Sequence, residues 1–174
     1  MTYWRLIATT SEKPKAFQEK WNTDCRLEEE EIDWESAFLL ARRCTRSNKL
    51  IIYLFKLLHR RLPINSLLYK LAIKDNDRCS FCEKEPETLS HYISWDCKLT
   101  TFFRNSLFSW LQTCSLTEKD LDMASVLCLK RDSSSKKLQI NFCCFNLSRH
   151  YIWVCKTKCE IPNHTSIFRL LKNS

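Results

Sequence analysis

The chain has 174 residues and not one glycine, where average usage of about 7% would supply roughly a dozen. Glycine enters the φ > 0 region without steric penalty, and the tight turns of β-rich folds depend on it. Helices tolerate its absence far better. The expectation is therefore a mainly α fold.

Length fits one ordinary domain, or a small core with loosely attached ends. With 44% hydrophobic and 12% aromatic residues, the chain can bury a real core, and full disorder is excluded. The formal net charge is +8, which suits a polyanionic partner. Its distribution is more informative than its size. No Asp or Glu occurs from Ser36 to Lys74, while Arg42, Arg43, Arg46, Lys49, Lys56, Arg60 and Arg61 all fall there, followed by Lys70 and Lys74. The acids gather instead in Glu28 to Glu31, Asp33 and Glu35. Such a one-signed stretch can neutralise phosphates, and the seven cations from Arg42 to Arg61 are its candidate nucleic-acid contacts.

Eleven cysteines would suit a disulfide scaffold. An odd number leaves one unpaired, and the opening MTYWRLIATT has no apolar signal-peptide core. Most of the remaining cysteines fall inside apolar patterns, as buried free thiols do in reducing compartments. The longest apolar run, Leu50 to Phe55, is far short of the ~20 residues that cross a bilayer. The expected location is intracellular, cytoplasmic or nuclear, without membrane contact.

Along the chain, residues 1–33 read as an irregular N-terminal flank, with Lys13–Pro14–Lys15 interrupting any early helix. Trp34, Phe38, Leu39 and Ala41 begin a helical pattern. A stronger one follows Ser47 or Asn48 as cap, with Ile51, Leu54, Phe55, Leu58 and Leu62 on one face and Pro63 as its end. Asn65 or Ser66 starts a short helix, and Asp75–Asn76–Asp77 marks a turn. Pro86 suits the first turn of a helix through Leu89, His91 and Tyr92. Another helix spans Leu99 to Leu111, turning Phe102, Phe103, Leu107 and Trp110 inward. Thr117 and Asp120 resemble a capping arrangement, and Asp132 to Ser135 a flexible loop. A long helix over Lys136–Lys158 buries Leu138, Phe142, Phe145, Ile152 and Cys155, and Pro162 precedes a terminal helix near Ile167 to Leu171. The expected organisation is the flank, a helical domain over 34–128 that carries the Cys/His constellation described next, and a C-terminal loop with helices over 129–174 packing on it.

The densest constellation is Cys79-x2-Cys82-x8-His91-x5-Cys97. A Cys-x2-Cys turn brings two thiolates to one ion and aims backbone amides at the sulfurs. His91 and Cys97 close a tetrahedron from a second element. Zinc suits this donor set best, with soft sulfur, one imidazole and no geometry imposed by d-electrons. Three thiolates and a neutral imidazole leave the zinc site with one negative charge, which Arg78, Lys84 and Lys98 would offset. Four protein ligands leave no open position for a zinc-bound hydroxide, so the expected role is one structural zinc. Three cysteines and a histidine also fall close together by chance in so Cys-rich a chain. The turn at Asp75–Asp77 directly before Cys79 favours the knuckle.

A second grouping, His150, Cys155, Cys159 and His164, places two thiols four residues apart on one helix face, though Cys155 also continues a core stripe. Cys143–Cys144 reads as packing. The sequence offers no Gly-rich phosphate loop and no nucleophile–base grouping, so a non-catalytic protein without a small-molecule substrate is expected. His59, between basic residues, reads as a surface position.

The segment from Tyr53 to Trp110 resembles the zinc-binding domain that follows the reverse transcriptase in LINE-type, non-LTR retrotransposon polyproteins. The matching features run in order: an aromatic and basic helix reaching Leu62-Pro63-Ile64-Asn65, then Cys79-x2-Cys82, Glu87-Thr88-Leu89-Ser90-His91, Trp95-Asp96-Cys97 and Phe102–Phe103. The stretches His150 to Lys158 and Ser166 to Lys172 are similar to the C-terminus of such polyproteins. The resemblance implies that Cys79, Cys82, His91 and Cys97 bind zinc. It further implies a module that helps a polymerase hold RNA and DNA, with a reverse transcriptase domain as a further partner. Nothing in this chain resembles the polymerase or endonuclease itself. Two other readings compete: a zinc-stabilised protein-interaction scaffold, and a non-functional retrotransposon remnant.

Overall fold

The computed structural model describes residues 16–26, 33–93, 97–114, 136–163, 165–166 and 169. Among them are seven helices and no strand: α1 (Ala16–Cys25), α2 (Trp34–Cys44), α3 (Asn48–Leu58), α4 (Asn65–Lys70), α5 (Leu89–Ile93), α6 (Lys98–Thr113) and α7 (Lys136–Thr157). The mainly α expectation from the missing glycine holds. The chain divides into two compact units, Met1–Arg61 with Lys119–Cys143, and Leu62–Glu118 with Cys144–Ser174. This division groups 34–61 apart from the Cys/His segment.

In the first unit α1 lies inside the segment expected to be irregular. Phe17 and Trp21, one turn apart, give it a single apolar edge. Trp21 is buried, and its Nε1 donates to the carbonyl of Leu58 at 2.8 Å. Leu58 ends α3, so this bond satisfies a carbonyl that has no partner within its own helix. Asp33 caps α2, its Oδ1 accepting from the Ser36 amide at 2.9 Å, and α2 packs on α3. Phe17, Trp34, Phe38, Phe55 and His59 form one ring cluster, with His59 4.6 Å from Phe17 and 4.0 Å from Phe55 between centroids. His59 also bonds through Nδ1 to the Phe55 carbonyl at 2.9 Å. It is half-buried, not the surface residue expected from its basic neighbours.

The core face of α3 is Leu50, Tyr53, Leu54, Leu57 and Leu58. The expected stripe had the wrong phase at Ile51 and Phe55, which are only half-buried. Ser47 is its N-cap but makes no side-chain cap bond. The helix stops well before Pro63. His59 is the C-cap, Arg60 turns to φ 56°, and the amides of Arg60 and Arg61 bond back to Leu57 and Lys56 at 2.9 and 2.7 Å. That pair of bonds is a Schellman ending, and it explains why the proline is not the terminator.

In the second unit α6 buries Phe103, Leu107 and Leu111, while α7 buries Phe145, Ile152 and Cys155. Each fully buried Leu or Phe stabilises the fold by about 1.5–3 kcal/mol. Phe108 meets Phe145 at 4.9 Å and Phe103 stacks on Tyr151 at 5.9 Å. Phe102, expected inward, is 65% exposed and Trp110 is half-buried. Two adjacent residues of a helix sit about 100° apart, so only one of Phe102 and Phe103 can face the core. Pro86 does not open a helix. It pairs with Arg78 in an isolated antiparallel bridge, and α5 begins at Leu89. The expectations for Thr117–Asp120, Asp132–Ser135 and Ile167–Leu171, and for the Leu138 side chain, lie outside what the structure describes. No described helix is long and apolar enough to cross a membrane.

Candidate metal centre

The knuckle is built by backbone bonds on both sides of the Cys79–Cys82 turn. The Cys79 amide donates to the Glu85 carbonyl at 2.8 Å and the Glu87 amide to the Asp77 carbonyl at 2.7 Å, so the strand-like arms meet at the Arg78–Pro86 bridge. At the tip the Glu83 amide returns to the Cys79 carbonyl at 2.9 Å, with Glu83 at φ 55°. The amides of Phe81 and Cys82 point at the Cys79 sulfur. This turn is the one the Cys-x2-Cys spacing requires.

The other two donors come from helix starts. Thr88 caps α5, its Oγ1 accepting from the His91 amide at 3.0 Å, which orients the first turn carrying the imidazole. Cys97 is the N-cap residue of α6. Its carbonyl accepts the amides of Thr100 and Thr101 at 2.9 and 2.8 Å, and both hydroxyls donate to it at 3.1 and 3.0 Å. These four bonds fix the Cys97 backbone at the start of α6 and so set where its side chain leaves the chain.

The four donor atoms of Cys79, Cys82, His91 and Cys97 all lie within 4.8 Å of one another. Cys79 Sγ is 3.9 Å from Cys97 Sγ, and Cys82 Sγ is 3.8 Å from His91 Nε2. A tetrahedral ion with sulfur at about 2.3 Å and nitrogen at about 2.0–2.1 Å would set donor separations of about 3.6–3.8 Å. These two edges lie just above that figure, so the cluster can hold a metal ion. Cys79, His91 and Cys97 are buried and Cys82 is half-buried. With the Cys97 thiol beside it and little water around it, Cys79 is pushed well above the ordinary thiol range. A divalent cation would reverse this preference, because it binds the thiolate. Arg78, Lys84 and Lys98 are all exposed.

Behind the knuckle is a polar lock that sequence reasoning missed. Glu87 is 2% exposed at its side chain, yet both its carboxylate oxygens are engaged. Oε1 accepts the Asn65 amide at 2.9 Å and Oε2 the Ser80 amide at 3.1 Å. Lys156 of α7, 8% exposed, pairs with Oε1. Asn65 Nδ2 donates to the Arg78 carbonyl at 2.6 Å and to Ser80 Oγ at 3.0 Å, while Lys74 Nζ donates to Asn65 Oδ1 at 3.0 Å. Ser80 lies between two of the metal donors, so this network fixes the knuckle to α4 and to the end of α7. Burial holds the Lys156 ammonium below its ordinary range, with Glu87 opposing that shift. The sequence signal was available: Asn65 and Glu87 both stand in the motifs quoted above.

Of the seven candidate nucleic-acid contacts, Arg42, Arg43, Arg46, Lys49, Lys56 and Arg61 are exposed. Arg60 is committed elsewhere, bonded to Asp24 at 2.6 Å and lying 4.5 Å over the Trp21 ring. In the second grouping Cys155 is buried, Cys159 exposed and His150 half-buried, while His164 lies outside the described residues. Among the described residues the Cys79 cluster is the one that gathers three or more such donors. Compared with known proteins, the chain matches no protein-family model, no curated protein and no solved structure.

Proposed function

We propose that the four donors bind one structural zinc ion, and that the chain is a non-catalytic nucleic-acid-binding module. In this reading it derives from the zinc-binding region that follows the reverse transcriptase of LINE-type retrotransposons. The observation that carries the metal assignment is the gathering of four donor atoms within 4.8 Å of one another, two of the separations being 3.9 and 3.8 Å. Three sulfurs and one imidazole select zinc among the common divalent ions. When bound, the ion joins the knuckle to α5 and α6 and leaves no position open for water.

The nucleic-acid reading rests on Arg42, Arg43, Arg46, Lys49, Lys56 and Arg61. They are exposed within one acid-free stretch and would neutralise phosphates. Metal analysis of the purified chain should give about one zinc. Affinity for single-stranded RNA should fall steeply with salt, by roughly three-hundredfold between 50 and 200 mM if about six phosphates are contacted. Zinc-free folded protein refutes the first statement, and affinity flat across salt refutes the second. One observation favours the scaffold reading: Tyr69, Leu71 and Ile73 are 52%, 59% and 66% exposed within five residues, as a protein-contact patch would be. Loss of a partner on Leu71→Ser, with RNA affinity unchanged, would select it.

A further inference from the structure

Beside the knuckle, within the second unit, opens a cleft of about 570 Å³ that holds none of the metal donors. Its volume falls inside the range of about 300–1,000 Å³ typical of small-ligand sites. Phe81, from the turn between Cys79 and Cys82, and Trp153 of α7 both line it, and both are half-buried. Lys74 and Lys156 line it as well.

Two lysines and two glutamates line the cleft, at different depths. Lys156 pairs with Glu87 and lies 4.9 Å over the Trp153 ring. Lys74 bonds Oδ1 of Asn65, an uncharged amide, and lies close enough to Lys156 to disfavour its charge. Lys74 is exposed, so one ammonium is buried against Glu87 and the other meets solvent at the rim. Glu83 and Glu160 also line the cleft and are exposed, so water and salt screen all three rim charges alike. An aromatic wall beside an accessible ammonium is the combination that takes a base by stacking and its phosphate by charge.

We propose that this cleft receives one unpaired nucleotide of a bound single strand, its base against Phe81 and Trp153 and its phosphate on Lys74. The proposal rests on the nucleic-acid reading above and adds a contact separate from the Arg42–Arg61 stretch. The zinc-loaded full chain is titrated with an oligouridine that carries thiouridine as a photoreactive base. Crosslinks map to the peptides of Phe81 and Trp153. Phe81→Leu, which keeps apolar bulk without a ring, weakens binding roughly tenfold. Lys74→Gln lowers the salt slope by about one, and Glu160→Gln strengthens binding. Zinc content and helicity of each variant, equal to the parent's, show that the fold is intact.

Crosslinks confined to residues 42–61, with Phe81→Leu binding as the parent does, overturn the cleft and leave the nucleic-acid reading standing. Absence of binding at every salt concentration overturns both. Crosslinking displaced by inorganic phosphate as readily as by uridine monophosphate marks a bare anion site and also overturns the proposal.

Discussion

The Glu87–Lys156 pair gives the sharpest quantitative test of how the knuckle is held. Both side chains are almost fully buried, at 2% and 8% exposure, so either charge left without its partner is poorly hydrated, Glu87 most of all. Removing one partner leaves the other charge uncompensated, which typically costs about 3–5 kcal/mol. Lys156→Met should fall in that range, because the Asn65 and Ser80 amides still bind the carboxylate but cannot neutralise it. Glu87→Gln should cost a similar amount. It strands the ammonium, and its amide nitrogen must face one of two backbone N–H donors at 2.9 and 3.1 Å.

The double variant has no buried charge left at the pair, only a mismatched amide worth about 1–3 kcal/mol. The two single losses therefore should not add, and the coupling should be at least about 2 kcal/mol. Urea unfolding of the four zinc-loaded proteins at low temperature measures it, since native stability of about 5–15 kcal/mol leaves room for the singles. Because Glu87 holds the Ser80 amide between two metal donors, chelator competition should also show zinc affinity reduced about 10–100-fold in either single variant. Single losses that add to within about 0.5 kcal/mol would refute the lock.

Cys82→Ser should abolish stoichiometric zinc and, with it, the cooperative melting of the second unit, read by metal analysis and circular dichroism. Ala72 sits at φ 54° past the end of α4, with its amide and that of Ile73 bonded back to Tyr69 and Leu68 at 2.9 Å each. Ala72→Gly removes about 1–2 kcal/mol of left-handed strain and adds about 0.5–1 kcal/mol of unfolded-state entropy, so thermal melting should rise slightly; a fall would be contrary. The Tm increment produced by zinc should grow with pH. Without metal, Cys79 is raised above its ordinary 9.0, so that stability is full below 9.0 and lost as pH climbs past it. Lys156, lowered from 10.5, acts in the opposite sense, gaining stability as pH rises, but it is common to both forms and cancels in the difference. In acid the thiolates take protons and the zinc increment vanishes; an increment independent of pH would contradict thiolate ligation.

What could be read from the sequence followed the range over which each signal acts. The metal donors were legible because their spacing is local, within nineteen residues, and the turn before Cys79 announced itself. The pairing of Glu87 with Lys156 was not: Glu87 stands in a quoted motif, but its partner reads as a solvated charge 69 positions away. The phase of α3 failed for a related reason: in Leu50 to Leu58 only Lys56 is charged, so periodicity could not say which apolar residues face inward. Helix α1 was missed because its core edge is only Phe17 and Trp21, and the tryptophan's value lies in a carbonyl 37 residues away.

The missing glycine shows both outcomes at once. It identified the fold class, since no described strand asks for a glycine turn. It did not free the chain from φ > 0. Arg26, Arg60, Ala72, Glu83 and Cys159 all adopt it, at 54–57°. Arg60, Ala72 and Cys159 sit just beyond helix ends, and each is fixed by a pair of backward amide bonds. Those bonds satisfy carbonyls the helix leaves open, and they offset the steric penalty a side chain carries there. Glu83 has a single such bond, to Cys79. The strained residue of the knuckle therefore has less backbone support than the three at those helix ends, and metal bound across Cys79 and Cys82 would supply the closure that this turn's own hydrogen bonding does not.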